Sequence, residues 1–155
     1  MIQQQRSKGT AMIRLEPIGP ENWRESLSVA EEQKHYVSSP ERILARAYAY
    51  REERSRALMI LNGGTPVGMA LYYDCEELKA YDFSQLFIDE RYQGNGYGEQ
   101  AARLILDEMC RDGRYKKAVL CYIEGNDAAR GLYEKLGFRE TGERDGDEII
   151  MEKEL

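Results

Sequence analysis

Gln85-Leu86-Phe87-Ile88-Asp89-Glu90-Arg91-Tyr92-Gln93-Gly94-Asn95-Gly96-Tyr97-Gly98-Glu99-Gln100-Ala101 decides how the rest of the chain is read. It opens as a short apolar strand at Leu86, Phe87 and Ile88, breaks into a polar turn, passes three glycines at every second position and becomes a helix. Ala101, Leu104, Ile105 and Met109 give that helix the i, i+3, i+4 spacing of a single apolar face. A strand, a glycine turn and a helix start together make an anion site. The first N–H groups of a helix have no intrahelical partner, and the dipole places partial positive charge there. Gly94, Gly96 and Gly98 carry no Cβ that would hold an anion off those amides. The stretch predicts a phosphate-bearing ligand at residues 93–98, against the plainer alternative of a glycine-rich hairpin or helix cap with no ligand.

Outward from this stretch, 155 residues suit one domain, and 42% hydrophobic residues suffice for a core. A net charge of −6 disfavours a nucleic-acid partner and would attract cationic small molecules. Cys75, Cys110 and Cys121 are odd in number and lack C-x-x-C spacing, which favours reduced thiols in a cytoplasmic protein over disulfides or zinc. His35 is the only histidine and reads as an exposed polar residue, so a histidine-based hydrolase or metal site has little to rest on. No apolar run approaches the roughly 20 residues of a membrane span, and the N-terminus lacks the apolar region of a signal peptide.

Residues 1–11 are polar and patternless and read as a disordered tail, with Met12 an alternative start and 12–155 the single domain. Residues 12–18 alternate as a first strand. A helix is expected over 21–29 around Trp23 and Leu27, and a polar helix or turn over 31–36. Ser39-Pro40-Glu41-Arg42 is a helix start, with Ser39 at the N-cap. Two apolar runs around Asn62-Gly63-Gly64 form a hairpin. An acidic loop from Asp74 to Lys79 leads into a strand at 81–88. The central helix stops at Asp112-Gly113, a strand follows at 118–123, and a helix carries Ala129, Leu132, Tyr133 and Leu136 up to Gly137. Strands at 138–141 and 148–155, turned through 144–147, close the chain. This order is a mixed α/β sheet with helices on both faces.

Among phosphate motifs, a dinucleotide fingerprint read from Gly94 would put Glu99 where a third small residue belongs, and no Lys-Ser or Lys-Thr follows for a P-loop. Gln93-x-x-Gly96-x-Gly98 remains, and it resembles the pyrophosphate motif of the GNAT superfamily of acetyl-CoA-dependent N-acetyltransferases. About thirty residues on, Asn126 to Phe138 resembles that family's N-x-x-A-x-x-x-Y-E-K-x-G-F segment. Leu86 to Gly94 and the closing Ile150-Met151-Glu152-Lys153-Glu154-Leu155 look like bacterial spermine/spermidine acetyltransferases. The resemblance implies a mixed, mostly antiparallel sheet of six or seven strands.

It also implies roles. Backbone groups of Phe87 and Ile88 would bond the pantetheine arm of acetyl-CoA, and the backbone from Gln93 through Gly94, Asn95, Gly96 and Tyr97 to Gly98 would hold the pyrophosphate. Asn126 would bond the pantetheine or position its loop, and is equally a good N-cap. Tyr133 would lie beside the thioester sulfur, and is otherwise a core aromatic. No metal is implied. The expected acceptor is a small cationic amine, polyamine first. A protein N-terminus, a lysine, an aminoglycoside, or a non-catalytic acyl-CoA sensor are the alternatives, and a homodimer is one expected assembly. An alkyl amine with pKa near 10.4 is protonated at pH 7 by about 3.4 units, roughly 4.6 kcal/mol. A carboxylate working through water would remove that proton, and Asp82, Glu124, Asp74, Glu76 and Glu77 are the candidates. Tyr133 would protonate the leaving thiolate.

Overall fold

A computed structural model describes residues 12–155, so the tail expected at 1–11 lies outside the described residues. Seven strands form one sheet in the order β1-β2-β3-β4-β5-β7-β6. They are β1 (Ile13–Pro17), β2 (Arg56–Asn62), β3 (Thr65–Cys75), β4 (Ala80–Ile88), β5 (Lys117–Ile123), β6 (Arg139–Asp145) and β7 (Glu148–Glu154). All neighbours are antiparallel except β4 and β5. Helices α1 (Pro40–Ala49), α2 (Tyr97–Asp112) and α3 (Asp127–Lys135) cover the faces.

Alternation along β2 shows how the faces divide. Leu58 and Ile60 pack with α2 and α3 (Ala101, Ile105, Met109, Tyr133, Leu136), whereas Met59 and Leu61 pack with Ile43 of α1 and with Leu27 and Val29. Each buried Ile or Met contributes about 1.5–3 kcal/mol. The buried stripe of α2 runs through Ala102 and Leu106 as well, and Leu104 is only half-buried. Ser39 caps α1, accepting from Arg42 N–H at 3.3 Å. The β2–β3 hairpin turns on Gly63-Gly64.

Two expectations are corrected. Residues 21–29 do not form a helix. Gly19 O accepts from Trp23 N–H at 3.1 Å for one turn, after which the chain is extended. Leu27 and Val29 are both buried, which a helix would not allow, because it would turn them to opposite faces. Ser28 between them donates its N–H to the Asp89 carboxylate and accepts from Glu90 N–H, just past the end of β4. Tertiary contacts here override an amphipathic pattern, and Trp23 is left half-exposed. The strand expected at 138–141 instead spans Arg139–Asp145, with Phe138 in the core and only Gly146-Asp147 in the turn.

One irregularity positions the site. β4 and β5 pair only at Tyr81↔Ala118 and Asp82↔Val119, while β5 goes on pairing with β7 as far as Ile123↔Glu148. Beyond Asp82 the sheet splits into a V. At the same level Ser84 is an extra residue opposite β3, since Tyr72 pairs with Phe83 and Leu71 with Gln85. That bulge switches which side chains face α2 and α3, from Tyr81 and Phe83 before it to Leu86 and Ile88 after it.

Candidate active site

The V opens between β4 and β5 and holds two cavities. The first, of about 290 Å³, runs from Leu86 and Ile88 past Leu132 to Gln93, Gly94, Gly96 and Gly98 at the mouth of α2. The second, of about 1180 Å³, lies on the α1 side and reaches Arg46, Asp82, Cys121 and Glu148. Val37, Leu86, Asn126, Ala129 and Tyr133 line both, so the two spaces meet there.

At the mouth of α2 the N-cap residue Gly96 makes no side-chain cap bond. Among the described residues no acceptor lies against the N–H groups of Gln93 to Glu99. A sixteen-residue helix with an open N-terminus fits a phosphate-bearing ligand. Gly94 and Gly96 adopt φ of +80° and +78°, so these two are needed for backbone shape. Gly98 is different, for a Cβ there would rest 3.6 Å from Ile88 Cγ1 on the cavity wall. The loop is braced from within by Asn95, whose amide donates to Tyr92 O (2.9 Å) and Gln93 O (3.3 Å).

The free edge of β4 can be read from its register. Asp89 N–H donates to Val67 O, so alternation directs the peptide groups of Phe87 toward β3 and those of Leu86 and Ile88 to the open side. Ile88 O on that side accepts from Gln93 Nε2 at 2.9 Å. The Phe87 peptide groups expected to meet the pantetheine arm are thus turned into the sheet, leaving Leu86 beside Ile88 on the open edge, and the Phe87 ring, 5% exposed, packs toward α1. Tyr97, also on the cavity wall, accepts at its hydroxyl from Asn62 Nδ2 at 3.0 Å.

Asn126 caps α3, accepting from Ala129 N–H at 3.3 Å, while lining both cavities. Tyr133 is wedged edge-on between Phe83 and Phe138, with ring centroids 6.4 and 5.9 Å away. Burial pushes its hydroxyl up to about 12, and no described residue hydrogen-bonds it.

The carboxylate candidates separate cleanly. Asp74 is buried in an ion cluster with Arg54 and Arg114, Glu76 pairs with Lys79 and Tyr115, and Glu124 pairs with Arg144. Glu77 is outside both cavities. Asp82 alone lies in the second cavity, in the last β4–β5 pair before the split. Burial pushes it up to about 6, with Glu148 adding to the effect and Arg46 and Tyr73 opposing it. Val37 and Arg46 carry no mark in the sequence, and Leu86 reads there only as a strand residue. A fully apolar residue on a strand and a basic residue on an exposed helix face look ordinary.

A split sheet beside an open helix N-terminus defines a class of acyl-CoA-handling transferase, and comparison with known proteins agrees. The acetyltransferase (GNAT) family pattern matches residues 20–138, and the chain belongs to that family as an acetyl-CoA-dependent N-acetyltransferase. It is 31% identical over 136 residues, 83% of this chain and 88% of the relative, to the spermine/spermidine N(1)-acetyltransferase of Bacillus subtilis. Among solved structures, the spermidine N-acetyltransferase of Vibrio cholerae in complex with CoA and spermine has a TM-score of 0.72 at 18% identity, covering 92% of this chain and 95% of that one. PaiA N-acetyltransferase from Thermoplasma acidophilum in complex with coenzyme A has a TM-score of 0.62 at 19% identity, covering 76% and 72%. Among the described residues there is no group of three His, Cys, Asp or Glu able to hold a metal, and no helix long and apolar enough to cross a membrane.

Proposed function

We propose that the chain transfers the acetyl group of acetyl-CoA directly to a primary amine of a small cationic acceptor, a polyamine first. The observation that carries this reading is the meeting of the two cavities at Tyr133. One ends at the open amides of α2, and the other holds the carboxylate of Asp82. The backbone of Gln93, Gly94, Asn95, Gly96, Tyr97 and Gly98 holds the diphosphate, and the open edge at Leu86 and Ile88 takes the pantetheine arm as an added strand. Asn126 orients the loop at the junction.

Asp82 accepts the amine proton, directly or through water, as nitrogen attacks the thioester carbonyl. A backbone N–H on the open edge faces the charge that develops on the carbonyl oxygen. When the C–S bond breaks, Tyr133 gives its proton to the sulfur. A phenol held neutral by burial is a constant donor across the working pH range. The enzyme works in the cytoplasm, where free Cys75, Cys110 and Cys121 stay reduced.

Support for a polyamine comes from the 31% identical relative and from Asp82, Asp145 and Glu148 lining the second cavity. Arg42 and Arg46 line the same cavity and favour a second reading, an acceptor that also carries an anionic group, such as a peptide with an exposed amine. An acceptor screen following thiol release at saturating acetyl-CoA separates them. Spermidine and spermine should outpace a lysine peptide, a peptide N-terminus and an aminoglycoside, and the reverse order would overturn the polyamine assignment.

A further inference from the structure

Asp89 and Gln93 flank the coenzyme loop, yet both side chains are committed elsewhere. Asp89 is 1% exposed. Its Oδ2 accepts from Ser28 N–H at 2.9 Å and its Oδ1 from Arg91 N–H at 2.9 Å, and the Arg91 guanidinium reaches both oxygens, at 2.8 and 3.2 Å. Glu90 N–H donates back to Ser28 O at 2.9 Å, and Arg91 Nη2 donates to Ser26 O at 3.3 Å. Gln93 Nε2, besides bonding Ile88 O, donates to Gln33 Oε1 at 2.8 Å. Both fastenings run to one stretch, the connection between β1 and α1.

That stretch walls the two cavities in succession. Val29 and Gln33 line the first, residues 34–39 line the second, and Val37 lines both at their junction. On the far side a Cβ at Gly125 would lie 3.2 Å from the Tyr36 hydroxyl, so the stretch reaches the β5–α3 loop. Residues 29–38 therefore cross the open end of the V above the point where the cavities join. The fastening at Asp89 is dry and charge-assisted, which makes it the stronger of the two; Gln93–Gln33 is an exposed neutral bond.

We infer that Asp89 and Gln93 are positioning residues: through Ser28 and Gln33 they hold residues 29–38 as a roof that sets acceptor binding and keeps water from the thioester. This rests on the reading of residues 93–98 as the diphosphate site. A loosened roof leaves the α2 mouth intact but widens the acceptor side. The amine should then bind less well, and water should attack the thioester carbonyl more often, giving acetate and free CoA thiol.

The test uses Gln33→Leu, Gln93→Leu, the double variant and Asp89→Asn in the full chain. Three quantities are read: CoA Kd by calorimetry, KM for spermidine, and thiol release from acetyl-CoA with no amine present. Gln33→Leu should raise the spermidine KM three- to tenfold and raise amine-free thiol release, with CoA Kd within twofold. The double variant should be no more than twofold worse than Gln93→Leu, because one contact is lost either way. Asp89→Asn should show the larger rise, and if it fails to fold, the exposed glutamine pair decides. Unchanged KM and amine-free release, or a CoA Kd that rises in step with KM, overturns the inference. A wild-type chain that binds no CoA overturns the diphosphate reading as well, whereas normal CoA binding with an indifferent Gln33→Leu overturns the roof alone.

Discussion

Replacing Asp82 with asparagine should make the protein more stable and nearly inactive at once. The carboxyl titrates at about 6 against an ordinary 3.8, because it is buried at the split between β4 and β5. A folded-state pKa raised above the unfolded value means that stability is fully present below pH 3.8 and is lost as pH rises through about 6. The shift of 6 − 3.8 = 2.2 units corresponds to about 3 kcal/mol of strain in the ionised form at pH 7. The neutral amide of the variant carries no such strain, so Tm should rise at pH 7, by about 9 °C if the whole amount is recovered. Wild type and variant should converge near pH 4. A general base contributes about 10²–10⁴-fold, so kcat/KM should fall by at least about 10². The wild-type profile of log kcat/KM should show an acid limb centred near pH 6, above the gradual gain from deprotonation of the amine itself. That limb should be absent from Asp82→Asn. Thermal melts between pH 4 and 8 and initial rates over the same range measure both halves. A kcat/KM within threefold of wild type removes Asp82 as the base, and a lowered Tm at pH 7 refutes the claim that its carboxylate is held at a cost.

Tyr133→Phe should lower kcat about tenfold or more with the acetyl-CoA KM within threefold, and Tm should barely move, since the hydroxyl has no protein partner; stopped-assay kinetics and a melt check it. Gly98→Ala should keep coenzyme affinity and add about 0.5–1 kcal/mol of helix stability, because its Cβ meets Ile88 at an ordinary 3.6 Å. Gly98→Val, which projects farther into the cavity, should weaken CoA at least tenfold by calorimetry. Gly96→Val is a blunter probe, since φ of +78° strains any L residue there by about 1–2 kcal/mol whatever binds. Arg54→Ala should cost about 2 kcal/mol in urea melts at pH 7, because buried Asp74 keeps only Arg114 and Asp112 loses its main partner. Arg54 and Tyr81 hold the Asp112 carboxyl well below its ordinary 3.8. Its stabilisation is therefore present above that value and lost as pH falls, so the gap between wild type and Arg54→Ala should shrink in a melt at pH 3.

Much of this architecture was legible locally. Ser39 at its N-cap, the Gly63-Gly64 hairpin and the stop at Gly113 follow from turn and capping chemistry, which acts within a few residues. The helix that did not form shows the limit of such reasoning. Trp23 and Leu27 share helical spacing, but the chain is held extended by Asp89, sixty-one positions from Ser28. Among five carboxylate candidates, composition could not single out Asp82. Asp74 opens the acidic stretch, yet its partners Arg54 and Arg114 come from outside it.

From its residues alone the chain determined where an open helix start with glycines of positive φ lies, the place we propose for the diphosphate, because bare amides and glycine conformations are properties of neighbours in sequence. Tertiary structure decided what lies beside it: which carboxyl is half-buried on the cavity wall, which edge of β4 is open, and which segment lines the junction. Desolvation and charge pairing depend on segments far apart in the chain that only the folded sheet brings together.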